Sequence, residues 1–361
     1  MKYIVMFVLL FVPMAANDID NILMDMEVNN DLSTKTKKEN NGIVKVYTRS
    51  DLNMMNAMHL RDVLKSSVVG FKISRYGLMD PNTLGISPFS SSNIRIYIDN
   101  QEISSTLYGS GMVTGDMNLD FVDHIEIYTY NPSFEFSTEP ATIMIKLYTK
   151  TYERDPGTTL RAGYGSYGSN VFSATTTNQI GDYKYMIHVS KDVDNKEKSN
   201  FGGVHDVSRD TTKTHGLISL YNDKRKFLLS VVENKKDSFL SADWTGDPSQ
   251  AHIDINMFHV GYEEKFSDNI LFELTYDTLK DQSVFANDNI LFMHKRNNSW
   301  NPIQSFDVKD ESTVITTKLQ KKSTLGNHDL LYGLKYRWKD LDYTELTFNN
   351  AVHLPYTGVK K

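Results

Sequence analysis

Ten histidines and no cysteines make up the soft metal-ligating inventory of this 361-residue chain. No two histidines stand at a ligand spacing backed by a third donor, and no H-E-x-x-H occurs, so no metal site is expected. His188 and His259 fall inside alternating apolar runs and read as face residues of strands. Gly109-x-Gly111 and Gly163-x-Gly165 are lone glycine pairs with no helix behind them, which makes them turns or strand ends and not phosphate cradles. There is no G-x-S-x-G and no thiol nucleophile. Asp120, Asp123, Glu126, Glu135 and Glu139 cluster in sequence. Solvated faces are the default for such carboxylates, and ion pairs inside a packed domain are the alternative. Nothing here assembles a catalytic constellation, so no enzyme, no catalytic residue and no cofactor is expected, and the ligand-binding residues stay unassigned.

The acidic cluster sits on a strongly patterned stretch, Asn93 to Lys150. Three runs alternate apolar and polar residues: Asn93–Ile103, Asp123–Tyr130 and Ala141–Lys150. In the second, Ile125, Ile127 and Thr129 share one face while His124, Glu126 and Tyr128 share the other. In the third, Ile143, Ile145 and Leu147 oppose Thr142, Met144 and Lys146. Period-two alternation of β-branched and aromatic residues predicts strands. Gly109-Ser110-Gly111, Gly115-Asp116 and Asn131-Pro132 supply turns between them. Upstream, Ser50-Asp51 is expected to cap a short helix to about Asn56. A second helix is expected from His59 to about Ser66, with Leu60, Val63 and Leu64 on one face. Arg75 to Ser92 reads as a loop. The sum is a small α+β domain.

The residues of this domain resemble the plug of TonB-dependent outer-membrane receptors. IRIYIDNQEI, LDFVDHIEIYTYNPS and ATIMIKLYTK follow that family's pattern of a strand ending in Asp, then V-x-x-I-E-V, then I-x-I-x-T-K. Asp99, Val122, Ile125, Glu126, Ile127, Ile145, Leu147, Thr149 and Lys150 carry the match. IVKVYTRSDL and HLRDVLKSSVVGF resemble the opening strand and helix, so the resemblance runs from Ile43 to Lys150 and more loosely beyond. One departure stands out. The family has a Gly-rich turn after V-x-x-I-E-V, whereas Asn131–Pro140 contains no glycine.

Met1–Ala16 reads as a secretory signal peptide: Lys2, an apolar run from Tyr3 to Val12, then Pro13-Met14-Ala15-Ala16. The run is shorter than the roughly 20 residues of a spanning helix. Residues 17–42 are polar and read as a flexible periplasmic leader. The family carries in this segment a short box for its energy transducer. Asn21–Val28 is the only apolar candidate, and a leader with chance apolar residues explains it equally well.

From Pro156 onward the pattern changes. Alternating runs, mostly eight to twelve residues long, are joined in turn by short and long connections. Gly181-Asp182, Asn222-Asp223-Lys224, Ser267-Asp268-Asn269 and Gly326-Asn327 are the short ones. The long ones run to about Lys213, through Trp244 and Pro248, and over about Lys280–Ser312. Tyr343–Asn349 is read as one more strand. Short turns alternating with long loops, on strands near the roughly 9–11 residues that cross a bilayer, describe an outer-membrane barrel. Leu330, Tyr332, Leu334, Tyr336 and Trp338 form a lipid-type row against Leu331, Gly333, Lys335, Arg337 and Lys339. Ile270, Phe272, Leu274 and Tyr276 repeat it against Glu273, Thr275 and Asp277. A soluble sandwich shares the alternation but not the regular loop pattern.

About ten wall strands are read here, against about 22 in plugged outer-membrane transporters. The expectation is therefore a mainly β chain: residues 1–16 signal peptide, 17–42 leader, 43–152 plug domain, and 153–361 an incomplete antiparallel transmembrane β-barrel. The C-terminal LPYTGVKK lacks the family's usual final aromatic residue, which fits the N-terminal part of a receptor whose remaining strands are missing through a frameshift, an early stop or a split reading frame. The resemblance implies a Gram-negative outer-membrane importer of a scarce solute, such as an iron-siderophore or other metal complex. Its partners would be a TonB-type inner-membrane complex, outer-membrane lipid and a small-molecule or metal-chelate ligand. The net charge of −6 gives no reason to expect nucleic acid. A non-transporting interaction protein and a secreted hydrolase on a sandwich are the competing readings, and the hydrolase lacks a catalytic set.

Overall fold

The computed structural model describes residues 43–67, 71–72, 82–83, 94–103, 117–129, 143–201, 205–242, 248–267, 269–286, 292–296, 299–303, 305–326, 328–348 and 352–353. The signal peptide, the leader, Gly109, Gly111, Glu135, Glu139 and the Asn131–Pro140 segment lie outside them.

The first part of the chain runs β1 (Ile43–Tyr47), α1 (Arg49–Met54), α2 (Leu60–Ser67), the two-residue pair β2 and β3 (Phe71–Lys72, Asn82–Thr83), β4 (Ile94–Ile98), β5 (Gln101–Ile103), β6 (Val122–Thr129) and β7 (Ile143–Thr149). Its five-stranded inner sheet has the order β1-β6-β7-β4-β5, and only β4–β7 is parallel. Ile94, Ile96, Ile98, Ile125, Ile127, Ile143, Ile145 and Leu147 come from one face and pack with Leu52, Leu60, Val63 and Leu64 of the helices. Each such side chain contributes roughly 1.5–3 kcal/mol on burial. The other face is buried as well, with Tyr97, Tyr128 and Met144 packed together.

Helix α1 starts two residues earlier than its sequence signal. Thr48 is the cap, and Asp51 is the reciprocal partner three residues in, closing a capping box. Helix α2 runs one residue past expectation at its end.

The second part is one antiparallel ten-stranded sheet, the wall. Its strands are β8 (Gly157–Tyr164), β9 (Asn170–Ile180), β10 (Tyr183–Asp194), β13 (Thr211–Tyr221), β14 (Arg225–Ala242), β15 (Pro248–Ser267), β16 (Ile270–Ala286), β19 (Ser305–Leu325), β20 (His328–Phe348) and β21 (Val352–His353). Two small hairpins, β11–β12 (Ser199–Phe201, His205–Val207) and β17–β18 (Phe292–Arg296, Ser299–Ile303), lie in the longer connections. The strands form one sheet and not two stacked ones, which disposes of the sandwich.

Two expectations need correction. β14, β15, β16, β19 and β20 reach 17 to 21 residues, not eight to twelve. Much of what reads as long loop is ladder, because backbone pairing tolerates polar side chains: Lys235 and Lys236 sit opposite Asp254 and Ile253 in register. The run Tyr343–Asn349 is not a separate strand, since β20 carries straight through to Phe348.

The wall alternates as expected, apolar outward and polar inward. On β20 Tyr332, Leu334, Tyr336 and Trp338 are exposed, Leu334 to 73%, while Lys335 and Arg337 on the other face are partly covered. On β16 Leu274 and Tyr276 are exposed, and Glu273, Thr275 and Asp277 are buried. Gly181 takes the left-handed conformation, φ +59°, at one of the short turns, where glycine carries no steric cost. Among the described residues, β8 and β20 do not pair with each other, so the sheet is an open wall.

Candidate functional site at the contact between the two sheets

The inward face of the wall mixes buried polar residues with apolar ones such as Leu217, Val232 and Ile255 that share a core cluster with the inner sheet. Among the described residues, the polar contacts gather at two segments of the inner part, the first joined by Arg49, His59 and Arg61 of the helical region.

The first is Met117–His124. Asp120 accepts from Arg161 Nη1 of β8 at 2.7 Å and from Ser173 Oγ of β9 at 2.5 Å, with Arg49 at 3.8 Å. Thr175 donates to the Asp120 carbonyl at 3.4 Å. Asn118 donates to Asp192 of β10 at 3.3 Å, and His59 stands 3.7 Å from the same carboxylate. Arg61 bonds Asp194 at 3.4 Å. Phe121, wholly buried, lies between the rings of His188 and His215, 5.4 Å from each. Asp123 takes Arg154 at 2.5 Å and His124 at 2.6 Å. Glu126 accepts from Tyr128 at 2.6 Å and Tyr148 at 2.9 Å.

The solvated-face default is thus overturned for Asp120, Asp123 and Glu126. Buried carboxylates persist only when paired or hydrogen-bonded, and each of these is. The electrostatics carry the same message. Burial pushes the Lys150 amine and the Arg49 guanidinium down, against the pull of the neighbouring aspartates. Burial pushes the Asp155 carboxyl up despite Lys150. Burial, then Glu126, drives the Tyr148 hydroxyl far above its ordinary value. Desolvation lowers His59, but Asp192 and Asp62 outweigh it and hold the imidazole above 6.5.

The second segment is the tip of the β4–β5 hairpin, Asp99–Glu102. Asp99 is left-handed, φ +56°, a conformation Asp tolerates better than most residues. Its carboxylate accepts from the Thr149 backbone at 2.9 Å and from Lys226 Nζ of β14 at 2.6 Å. Asn100 stands 3.5 Å from Glu263 of β15. Gln101 Oε1 lies 3.1 Å from His259 Nε2, whose Nδ1 is 2.7 Å from Asp277 of β16. Glu102 is gripped by Arg337 of β20, by Arg95 at 3.0 Å and by Lys335 at 3.5 Å. Burial raises the Glu102 carboxyl, and these three cations more than reverse the effect, holding it below its ordinary value.

His188 and His259 are therefore wall residues facing the inner sheet, as their strand positions imply. Gly163 lies in β8, and Gly165 opens the turn that follows it. Among the described residues no group of three His, Asp or Glu side chains is placed to hold a metal ion. No helix there is long and apolar enough to cross a membrane. The chain passes into the wall beside the short turns, where Tyr152 N donates to Tyr221 Oη at 2.9 Å and Glu153 pairs with Lys184.

Residues 36–141 match the family described as the TonB-dependent Receptor Plug Domain. The inner domain is a TonB-dependent receptor plug. The wall that it lines has the fold of the same receptors. The chain is similar to the ferric-catecholate import receptor Fiu from E. coli K12 (14% identity, TM-score 0.56, covering 84% of this chain and 50% of that one). It is similar to the siderophore receptor PiuA from Acinetobacter baumannii (14%, 0.55, 83% and 46%) and to the ferric yersiniabactin uptake receptor FyuA from Yersinia pestis (13%, 0.57, 86% and 50%). The chain spans about half the length of these receptors. With the plug recognised, the polar inner face is the surface on which it rests. The roles of Gln101, Glu102 and Arg337 were missed in sequence, since only the fold brings residues 158 and 235 positions apart together.

Proposed function

We propose that this chain is the N-terminal part of a TonB-dependent outer-membrane transporter that takes up a scarce solute of the iron-siderophore or metal-chelate class. One observation carries the reading: a plug domain is fixed by buried ion pairs to the polar face of a sheet whose other face is apolar and exposed. In water that outer face would be an aggregation surface, whereas in a bilayer it is ordinary. The solute class rests on what the similar receptors are named for and on no residue here. Energy would come from a TonB-type inner-membrane complex. The reaction is transport and not catalysis. A signal peptide over 1–16, a leader over 17–42, a plug over 43–152 and a wall over 153–361 belong to the same proposal.

Ten strands do not close around a plug, and unpaired backbone groups in lipid cost several kcal/mol each. In this reading further strands, pairing at the β8 edge and at the β20–β21 edge, complete the transporter. The open sheet also favours a second reading, a non-transporting outer-membrane or periplasmic fragment. Fractionation and uptake assays on the intact locus test both. The transporter reading expects the chain in the outer membrane and a several-fold fall in ferric-chelate uptake when the locus is deleted. Recovery as a soluble periplasmic protein would remove it. Membrane insertion with unchanged uptake would leave the second reading.

A further inference from the structure

We infer that Gln101 is the positioning residue that sets where the plug's second contact seats on the wall, through a notch left by the missing side chain of Gly261. The inference rests on the transporter reading only for its setting in the outer membrane, not for its geometry. Gly261 of β15 faces the plug, and a Cβ built there would collide with the side-chain amide of Gln101. Gly261, Thr275, Thr316 and Arg337 lie side by side across β15, β16, β19 and β20. The neighbouring row is Glu263, Glu273, Lys318 and Lys335, with acids at one end and bases at the other. The hairpin tip is matched to both rows. Asn100 meets the acidic end, Glu102 meets Lys335 and Arg337, and Gln101 drops between them at the glycine.

An amide suits the buried His259 better than a carboxylate or an amine. Its oxygen accepts from a charged imidazole, and its nitrogen donates to a neutral one. Seating therefore does not depend on the histidine's charge. Thr316 fixes Arg337 from the side, its hydroxyl accepting from Nε at 3.1 Å, so the guanidinium is aimed before Glu102 arrives. The polar and ring contacts of Met117–His124 share none of these partners: they go to β8, β9, β10 and β13. The polar seat at β14–β20 and the polar contact at β8–β13 can therefore be probed separately.

The chain has no cysteine, so introduced pairs report cleanly. Asn100→Cys with Glu263→Cys reports the seat, and Asn118→Cys with Asp192→Cys reports the other contact. Both are bridged with a short bifunctional thiol reagent in outer membranes of cells expressing the full chain from its own locus. Gly261→Ala is expected to lower the 100–263 yield about tenfold, the scale of one lost hydrogen bond, with the 118–192 yield unchanged. Adding Gln101→Ser should lower the yield little further, because both changes remove the same seat, as expected for coupled neighbours. No fall in Gly261→Ala overturns the inference, and so does a second fall of about tenfold on adding Gln101→Ser. If Gly261→Ala fails to fold, Gln101→Ala decides: a selective loss of the 100–263 bridge supports the notch, and a joint loss or none contradicts it. Normal bridges with no ferric-chelate uptake would count against transport alone.

Discussion

The plug sheet and the wall sheet use the same alternation for opposite ends. In the plug, Ile125, Ile127 and Ile145 are at most 1% exposed, and charged residues on the reverse face are buried too, each with a partner. In the wall, Leu160 and Leu334 are 69% and 73% exposed, while His259 and Asp277 are inside. Hydrophobicity decides which residues share a face. It does not decide which face is the interior. That is settled by what lies against each side: the plug within, and in our reading lipid without.

The largest effect should come from breaking the pairing that lets charge sit inside. Asp120→Ala strands Arg161, Arg49 and Ser173. It should cost about 3–5 kcal/mol, as when one partner of a buried pair is removed. Denaturant unfolding followed by fluorescence measures the loss. A cost under about 1 kcal/mol would mean that water already solvates the site. Next comes the direct contrast. Ile145→Ala should cost about 2–5 kcal/mol through its cavity, whereas Leu334→Ala, where lipid fills the space and no cavity remains, should cost less. Equal costs would erase the distinction between the two sheets.

Acidity should separate the two contacts. Glu102 titrates below its ordinary 4.5 when folded. Its stabilisation is therefore complete above 4.5 and is lost as pH falls through the lower folded value. His59 titrates above 6.5 when folded. Its contribution is complete below 6.5 and is lost as pH rises through the raised value. Hydrogen exchange of β5 should therefore quicken at acid pH and that of α2 at alkaline pH, with Glu102→Gln and His59→Gln flattening the respective profiles. The reverse assignment would contradict the pairing described. The smallest effect is at a helix end. Thr48→Ala should cost about 1 kcal/mol by opening the capping box.

Much of this was legible in the residues. Period-two runs in Asp123–Tyr130 and Ala141–Lys150 gave β6 and β7 to within a residue or two. Gly181-Asp182 and Asn222–Lys224 gave hairpins, the latter because Asn222 Oδ1 accepts from Lys224 and Arg225 backbone amides. Strand length was not legible, because alternation fades where both faces of a ladder meet water, as at Lys235 and Lys236. The helix cap was misplaced because Ser50 and Asp51 carry cap chemistry as readily as Thr48, and only the geometry says which residue stays extended. The contact residues had no local signature at all. Glu102 looks like a strand-end acid and Gly261 like an unremarkable strand glycine until the hairpin tip is set against β15 and β20.

Cysteine scanning along β20 in native outer membranes tests the central claim most directly. The account predicts that cysteines at 332, 334, 336 and 338 resist a water-soluble maleimide and react with a lipid-dissolved one, while those at 335 and 337 stay shielded until the plug contact is broken by Glu102→Gln. Free reaction of the 332–338 series with the water-soluble reagent would contradict it.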